Sequence, residues 1–270
     1  MDRRPIGVFD SGLGGLTAVR ELTKRLPNES IIYFGDTSRV PYGPRGRDVI
    51  IKYASQDVNF LRTFDIKAIL VACGTVSTTA LDTLRQTYDM PLTGVVESAS
   101  AKAARSTKNG RIGVIATSAS IASGAYSRVI HSIDPSLTVI EKACPLFVPI
   151  VENGRFSKGD PLPELLVRDY LTELKTLDVD TLVLGCTHYP LLWDVIADFM
   201  GAGVTLVSSG AEAAEYIAAE LQEKDLLTDA KSAPNRYYVS DSTETFRKFA
   251  SMYLQRDLDG DVEKVDIDKY

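Results

Sequence analysis

Two short apolar runs in this 270-residue chain each end at a cysteine. The first run, 69–72, stops at Cys73, and the second, 182–185, stops at Cys186. Apolar runs of this length are typical of buried strands, and a reactive residue just after such a strand lies at the carboxyl edge of the sheet. Ligands of open α/β sheets bind at that edge. The two runs therefore predict an α/β fold that presents two thiols at strand ends.

Strand-like segments alternate with helical segments along the chain, which is the pattern of parallel α/β architecture. The predicted strands are 6–9, 30–34, 68–72, 92–95, 111–116, 138–141, 181–184, 204–207 and, as the last, 237–239. The predicted helices include 47–64, 76–88, 99–106, 119–133, 162–177, 191–200, 211–221 and one through Tyr253 that starts in a capping box at Asp241–Glu244. The polar tail 257–270 is predicted to be loosely held.

A faint internal repeat indicates two similar halves. Residues 6–12 are echoed 106 positions later by 112–118, and Cys73 and Cys186 are 113 positions apart. We therefore predict two similar α/β domains, each a mainly parallel sheet flanked by helices, with the active site in the cleft between them. The predicted domains are 1–97 plus 209–270, which is discontinuous, and 98–208.

Composition narrows the class of protein. Hydrophobic residues make up 44% and charged residues 24% of the chain, as in average globular proteins. The formal charge of −6 is spread out, so nucleic acid is not expected as a partner. Neither a membrane helix nor a signal peptide is recognisable, which predicts a cytoplasmic protein without membrane contact. The three cysteines cannot all pair and have no zinc-site spacing, so we expect free thiols and no metal.

Two thiols in one cleft leave several chemistries to weigh. A redox pair is excluded by the spacing, and a cysteine peptidase or transferase built on Cys186 and His188 leaves Cys73 without a role. A base and an acid on opposite faces of one carbon explain both cysteines. Because each cysteine precedes a helix, we expect the helix N-terminus or a nearby cation to lower the thiol pKa from ~8.5 toward ~7.

Two other features are assigned no chemistry. Gly12, Gly14 and Gly15 superficially resemble a dinucleotide-binding loop, but the spacing differs and Asp10 at its mouth would repel a pyrophosphate. Cys144 precedes Pro145 without a partner motif and is predicted to be structural.

Five motifs together resemble glutamate racemase, in the aspartate/glutamate racemase superfamily. They are 10–15 (DSGLGG), 36–43 (DTSRVPYG), 72–75 (ACGT), 123–126 (SGAY) and 185–190 (GCTHYP), in the same order over nearly the whole chain. The resemblance implies interconversion of L- and D-glutamate without a cofactor, which supplies D-glutamate for peptidoglycan.

The resemblance also implies roles for individual residues. Cys73 would serve D-glutamate, assisted by Asp10, and Cys186 would serve L-glutamate, assisted by His188 with Glu152 behind it. The implied substrate-binding residues are Asp10, Ser11, Tyr42, Gly43, Gly74, Thr75, Thr117, Ser120, Thr187 and His188. The family usually has Asn where this chain has Gly74, so affinity and exact substrate are in question.

Two alternatives stay open. The chain could be a racemase of aspartate or a related amino acid, or a non-catalytic protein that binds an acidic ligand. The sequence leaves the oligomeric state open, with a homodimer among the alternatives.

Overall fold

The computed structural model describes residues 1–230 and 233–270. Within these residues the strands form two sheets, one of six strands and one of four, and every pairing is parallel. The strands are β1 (Ile6–Asp10), β2 (Ile31–Gly35), β3 (Ala68–Val71), β4 (Leu92–Thr93), β5 (Arg111–Ala116), β6 (Thr138–Ala143), β7 (Thr181–Leu184), β8 (Thr205–Ser208), β9 (Asn235–Val239) and β10 (Gly260–Lys264).

The two sheets share a strand order. The first runs β10-β9-β2-β1-β3-β4 and the second β6-β5-β7-β8, so β2-β1-β3-β4 has the same order as the whole second sheet. Cys73 follows β3 and Cys186 follows β7, and these strands pair with the equivalent strands β1 and β5. The predicted fold of two parallel sheets flanked by helices is confirmed, and both thiols come from matching positions.

Helices flank the sheets, and the apolar core lies between the helices and the sheets. They are α1 (Leu16–Arg25), α2 (Arg47–Leu61), α3 (Gly74–Thr79), α4 (Leu81–Thr87), α5 (Val96–Ser106), α6 (Ser118–Ser123), α7 (Ala125–Ile133), α8 (Phe147–Glu152), α9 (Pro161–Thr176), α10 (Trp193–Met200), α11 (Ser209–Glu223) and α12 (Thr243–Leu254). Helix α11 packs against both α1 and α5. One apolar cluster contains Val8 and Leu70 of the first sheet and Leu182 of the second, so buried side chains join the two sheets.

Several predicted boundaries differ from the structure. The predicted helix 119–133 is divided at Gly124, which has a left-handed backbone (φ 61°), and 76–88 is divided at Ala80. The N-cap of α12 is Ser242, whose hydroxyl accepts from the Thr245 N–H, and not Asp241. No helix in the described part of the chain has the length and apolar character needed to cross a membrane.

The C-terminal prediction is wrong. The segment expected to be loosely held forms β10, which pairs with β9 along its length, so 237–239 is not the last strand. A short 3-10 turn, Ile267–Lys269, follows β10. Ile267 is buried there in a second apolar cluster, which includes side chains of the first sheet. Polar edge strands such as β10 bury few side chains, which weakens their sequence signal.

Candidate active site

A cavity of about 360 Å³ is lined by loops that follow strands of both sheets. Its volume is at the small end of the range for ligand sites, which suits a small molecule. The expected site residues that line it are Ser11, Tyr42, Gly43, Cys73, Gly74, Thr75, Thr117, Glu152, Cys186, Thr187 and His188. Among the described residues, Asp10 and Ser120 are the expected members that lie behind the wall of this cavity. The two cysteines therefore face one shared space.

Cys73 forms the N-cap of α3, and its thiol donates to the Ser11 hydroxyl oxygen with an Sγ–Oγ distance of 3.6 Å. Burial and then the negative charge of Asp10 raise the pKa of the Cys73 thiol to about 12. The expected lowering of this pKa is therefore wrong for Cys73, because burial and a nearby carboxylate outweigh the helix N-terminus. Cys73 is a neutral thiol here at neutral pH.

Asp10 ends β1 and is fully buried behind the cavity. One carboxylate oxygen accepts the Gly12 N–H at 3.1 Å, and the other accepts the Thr187 hydroxyl at 3.5 Å. Burial raises the pKa of Asp10, while the positive charge of His188 and backbone N–H groups act to lower it. Asp10 thus contacts the loop of the second cysteine as well as acting electrostatically on the first.

The Cys186 side of the cavity is built around an imidazole. His188 Nδ1 lies 3.9 Å from Cys186 Sγ, and its Nε2 lies 3.2 Å from the Glu152 carboxylate. Burial acts to lower the pKa of His188, but hydrogen bonds and charges of Cys186 and Glu152 prevail and raise it to about 10. The Tyr253 ring packs edge-on against the imidazole, with centroids 5.8 Å apart. His188 is therefore a fixed imidazolium beside the Cys186 sulfur at neutral pH.

The loop after β1 supports this histidine from the opposite sheet. A Cβ on Gly14 would overlap the Thr187 hydroxyl and lie 2.6 Å from His188, so the close approach requires glycine. The Thr17 hydroxyl, in the first turn of α1, bonds the Thr187 carbonyl oxygen at 2.9 Å. Thr17 carries no sequence signal for this role, because its partner is 170 residues away and no local pattern marks the contact.

Hydroxyl groups line another part of the wall. Thr75 and Thr117 share a hydrogen bond of 3.0 Å across the two sheets, and Thr117 also caps α6 by accepting the Ser120 N–H. The Ser120 hydroxyl bonds Thr117 at 3.0 Å and Thr78 at 3.3 Å, so it supports the wall from behind. Ser120 thus orients Thr117 in this structure and does not itself reach the cavity.

Tyr42 lines the cavity, but its hydroxyl forms hydrogen bonds with residues that do not line the cavity. It donates to Asp36 and lies 3.2 Å from Asp57, and Arg39 bonds both carboxylates at 2.6 and 3.3 Å. Burial and the charge of Asp36 raise the pKa of Asp57 well above its usual value. This buried cluster anchors the loop that presents Tyr42 and Gly43. Asp36 directly follows β2, so the strand-end rule that singled out Cys73 would also have found it.

Cys144 also lines the cavity, although the sequence indicated only a structural role. Its thiol donates to the Lys142 carbonyl oxygen at 3.8 Å, and burial raises its pKa. Across residues 1–230 and 233–270, no group of three or more His, Cys, Asp or Glu side chains is arranged to hold a metal ion.

Comparisons with known proteins agree on one family. The family described as Asp/Glu/Hydantoin racemase matches residues 12–217. A relative named glutamate racemase from Geobacter metallireducens is 44% identical over 269 residues, covering 99% of this chain and 98% of its own length. A glutamate racemase structure from Bacillus anthracis superimposes with a TM-score of 0.93 at 36% identity, covering 98% of this chain and 99% of its own. A Francisella tularensis glutamate racemase in complex with D-glutamate gives 0.92 at 38% identity, with full coverage of both chains.

Proposed function

The chain belongs to the Asp/Glu/Hydantoin racemase family, and within it to the glutamate racemases, and from that premise we propose that it interconverts L- and D-glutamate by moving protons between carbon and two cysteines. The observation that carries the proposal is that Cys73 and Cys186, from matching strand ends of two sheets, line one cavity. The solved relative that holds D-glutamate supports glutamate as the substrate.

In the proposed reaction the α-carbon of glutamate lies between the two sulfurs. One sulfur, as thiolate, takes the α-proton from one face, so that an S–H bond forms as the C–H bond breaks. The opposing thiol then gives its proton to the other face, and the configuration is inverted. No cofactor takes part in this scheme. Cys73 serves D-glutamate and Cys186 serves L-glutamate, as the family resemblance implies.

The neighbours of each sulfur suit these roles. A neutral Cys73 thiol, with its pKa raised to about 12, is the form that donates a proton, as the L-to-D direction requires on this side. Asp10, whose charge raises the pKa of the Cys73 thiol, is the carboxylate that the family resemblance implies as the partner of Cys73 when Cys73 acts as base. On the other side, the His188 imidazolium holds positive charge and an N–H group beside Cys186, and Glu152 orients the ring.

Substrate carboxylates would be bound by the hydroxyl groups of the wall. Ser11, Thr75, Thr117 and Thr187 line the cavity, and hydroxyl donors of this kind bind anionic oxygens. Gly43 contributes backbone to the same wall, while the Tyr42 hydroxyl is held by Asp36 and Asp57. Gly74 supplies no side-chain amide, so the donors come from these neighbours.

The biological setting belongs to the same proposal. D-glutamate made by this chain would enter peptidoglycan, and the reaction would take place in the cytoplasm, where the three unpaired cysteines stay reduced. Residues 1–97 with 209–270 and residues 98–208 would form two domains that contribute one catalytic cysteine each. The homodimer considered from the sequence is tested by light scattering of the purified chain.

The direct test is an assay of the purified chain with L- and D-glutamate and with both aspartate enantiomers, followed by chiral chromatography. The proposal predicts turnover of glutamate in both directions and incorporation of solvent deuterium at the α-carbon. Turnover of aspartate alone would assign the chain to the first alternative. Binding of glutamate without any deuterium incorporation would assign it to the second and refute the proposal.

A further inference from the structure

We infer that Gly74 sets the separation between the two catalytic sulfurs, because the Gly185 carbonyl oxygen occupies the space where a side chain of residue 74 would begin. The inference rests on the proposed function and deepens it. Gly74 would act as a positioning residue, by fixing the distance between the loops that carry the two thiols.

The contact joins the two cysteine loops directly. Gly74 follows Cys73 as the first residue of α3, and Gly185 precedes Cys186. A Cβ placed on Gly74 would overlap the Gly185 carbonyl oxygen, and it would lie 3.4 Å from the Gly185 carbonyl carbon and 3.8 Å from the Cys186 Cα. These neighbours are backbone atoms, so no side-chain rotation can make room.

Gly185 is also held from behind. Its N–H donates to the Ile115 carbonyl oxygen at 2.8 Å. A Cβ on Gly185 would lie 3.0 Å from that oxygen and 3.1 Å from both Ala116 and the Tyr126 ring. Because Gly185 is fixed to β5 in this way, a side chain at position 74 would be accommodated by moving the Cys73 loop away from the Cys186 loop.

Movement of the Cys73 loop should lower the rate of proton transfer more than it weakens substrate binding. Proton transfer to opposite faces of one carbon needs both sulfurs in place together, and a displacement of ~1 Å can cost ~10²-fold in rate. Of the hydroxyl groups proposed to bind the substrate carboxylates, Thr75 would move with the Cys73 loop, whereas Ser11, Thr117 and Thr187 lie on other loops, so binding should change less. In the family pattern that the sequence resembles, Asn usually stands at this position. If the absence of the Asn side-chain amide limited kcat in this chain, Gly74→Asn would raise kcat. If Gly74 sets the separation of the two sulfurs, Gly74→Asn lowers kcat.

The experiment compares Gly74→Ala and Gly74→Asn with the control Gly46→Ala, whose added Cβ would have no neighbour within 4 Å. Each variant is purified as folded protein by gel filtration and checked by circular dichroism. Two quantities are measured: kcat and KM for both enantiomers, and the iodoacetamide alkylation rates of Cys73 and Cys186 by mass spectrometry, relative to Cys144. The alkylation rates do not depend on glutamate turnover, so failure of the proposed function and failure of this inference are distinguishable.

We expect both Gly74 variants to lose ~10- to 100-fold in kcat in each direction while KM changes by only a few-fold. We expect Cys73 and Cys186, which are nearly buried in the parent, to be alkylated several-fold faster, and the Gly46→Ala control to match the parent. Parent-like kcat and alkylation rates in Gly74→Ala would overturn the inference. A higher kcat in Gly74→Asn would overturn it as well.

Discussion

Cys73 and Cys186 come from equivalent strand ends in two sheets of matching order, yet their surroundings are chemically opposite. The Cys73 sulfur contacts the Ser11 hydroxyl and is near the carboxylate of Asp10, which helps raise its pKa to about 12. The Cys186 sulfur contacts His188, whose pKa is raised to about 10. The repeated architecture therefore delivers two sulfurs in the same way, but a carboxylate lies near one sulfur and an imidazole paired with Glu152 lies beside the other.

The largest effect should follow loss of either sulfur. Cys73→Ser and Cys186→Ser should each lower racemisation by ~10²- to 10⁴-fold or more in both directions, because a hydroxyl is a far weaker acid than a thiol and is not ionised at neutral pH to act as a base. Turnover is followed by chiral chromatography. Cys144→Ser is the matched control, since its thiol contacts only a backbone oxygen among the described hydrogen bonds, and it should stay within a few-fold of the parent. Near-normal turnover in either Cys73→Ser or Cys186→Ser would refute the two-base scheme.

Replacement of Asp10 or His188 should reveal which of the two sulfurs each residue assists. Enantiomers have equal free energy, so any variant must lose the same factor of kcat/KM in both directions, and the asymmetry has to be found elsewhere. We expect Asp10→Asn and His188→Asn each to lose ~10- to 100-fold. With α-deuterated substrates, the isotope effect should grow for D-glutamate in Asp10→Asn and for L-glutamate in His188→Asn. The same pattern in both variants would contradict separate partners.

The charge on His188 gives a pH prediction. The folded pKa of about 10 exceeds the ordinary 6.5, so the stabilisation it represents is complete below pH 6.5 and is lost as pH rises through about 10. Glu152→Gln removes one of the groups that raise this pKa, so the loss of unfolding free energy should still begin near pH 6.5 but should be smaller and should end at a lower pH. Denaturant titrations from pH 6 to pH 10.5 measure it. Identical pH profiles for parent and variant would show that Glu152 does not support the imidazolium.

The smallest effect concerns the carboxylate near Cys73. Asp10→Asn removes a charge that raises the Cys73 pKa, so Cys73 should be alkylated a few-fold faster at pH 9. Glu21→Gln, which changes a partly buried carboxylate of α1 paired with Arg20, is a carboxylate control that should leave the rate unchanged. An unchanged rate in Asp10→Asn would mean that burial alone sets the Cys73 pKa.

The parts of the fold that the sequence predicts well are the buried strands. Arg111–Ala116 and Thr181–Leu184 are correct at both ends, because each is an apolar run between polar neighbours. The same reasoning fails for β10, where Val262 is the one buried side chain of a polar edge strand. The helix break at Gly124 was not predicted either, because the helical spacing of apolar residues continues on both sides of it.

The site residues also divide into those that the sequence predicts and those that it does not. Strand-end positions pointed to both cysteines, because their placement depends only on local sequence and the parallel fold, whereas Asp10 was indicated by the family resemblance. Contacts between distant segments were beyond reach: Thr17 with Thr187, Tyr42 with Asp57, and Gly74 with Gly185. The raised pKa of Cys73 was missed for the same reason, because burial and the neighbouring carboxylate arise only when the chain is folded.

The central claim is that one small amino acid lies between the two sulfurs. A crystal structure of the chain with bound glutamate tests it most directly, through the distances from both Sγ atoms to the α-carbon. The account predicts the two sulfurs on opposite faces of that carbon, each ~3–4 Å away. Both sulfurs on one face, or either one out of reach of the α-carbon, would contradict it.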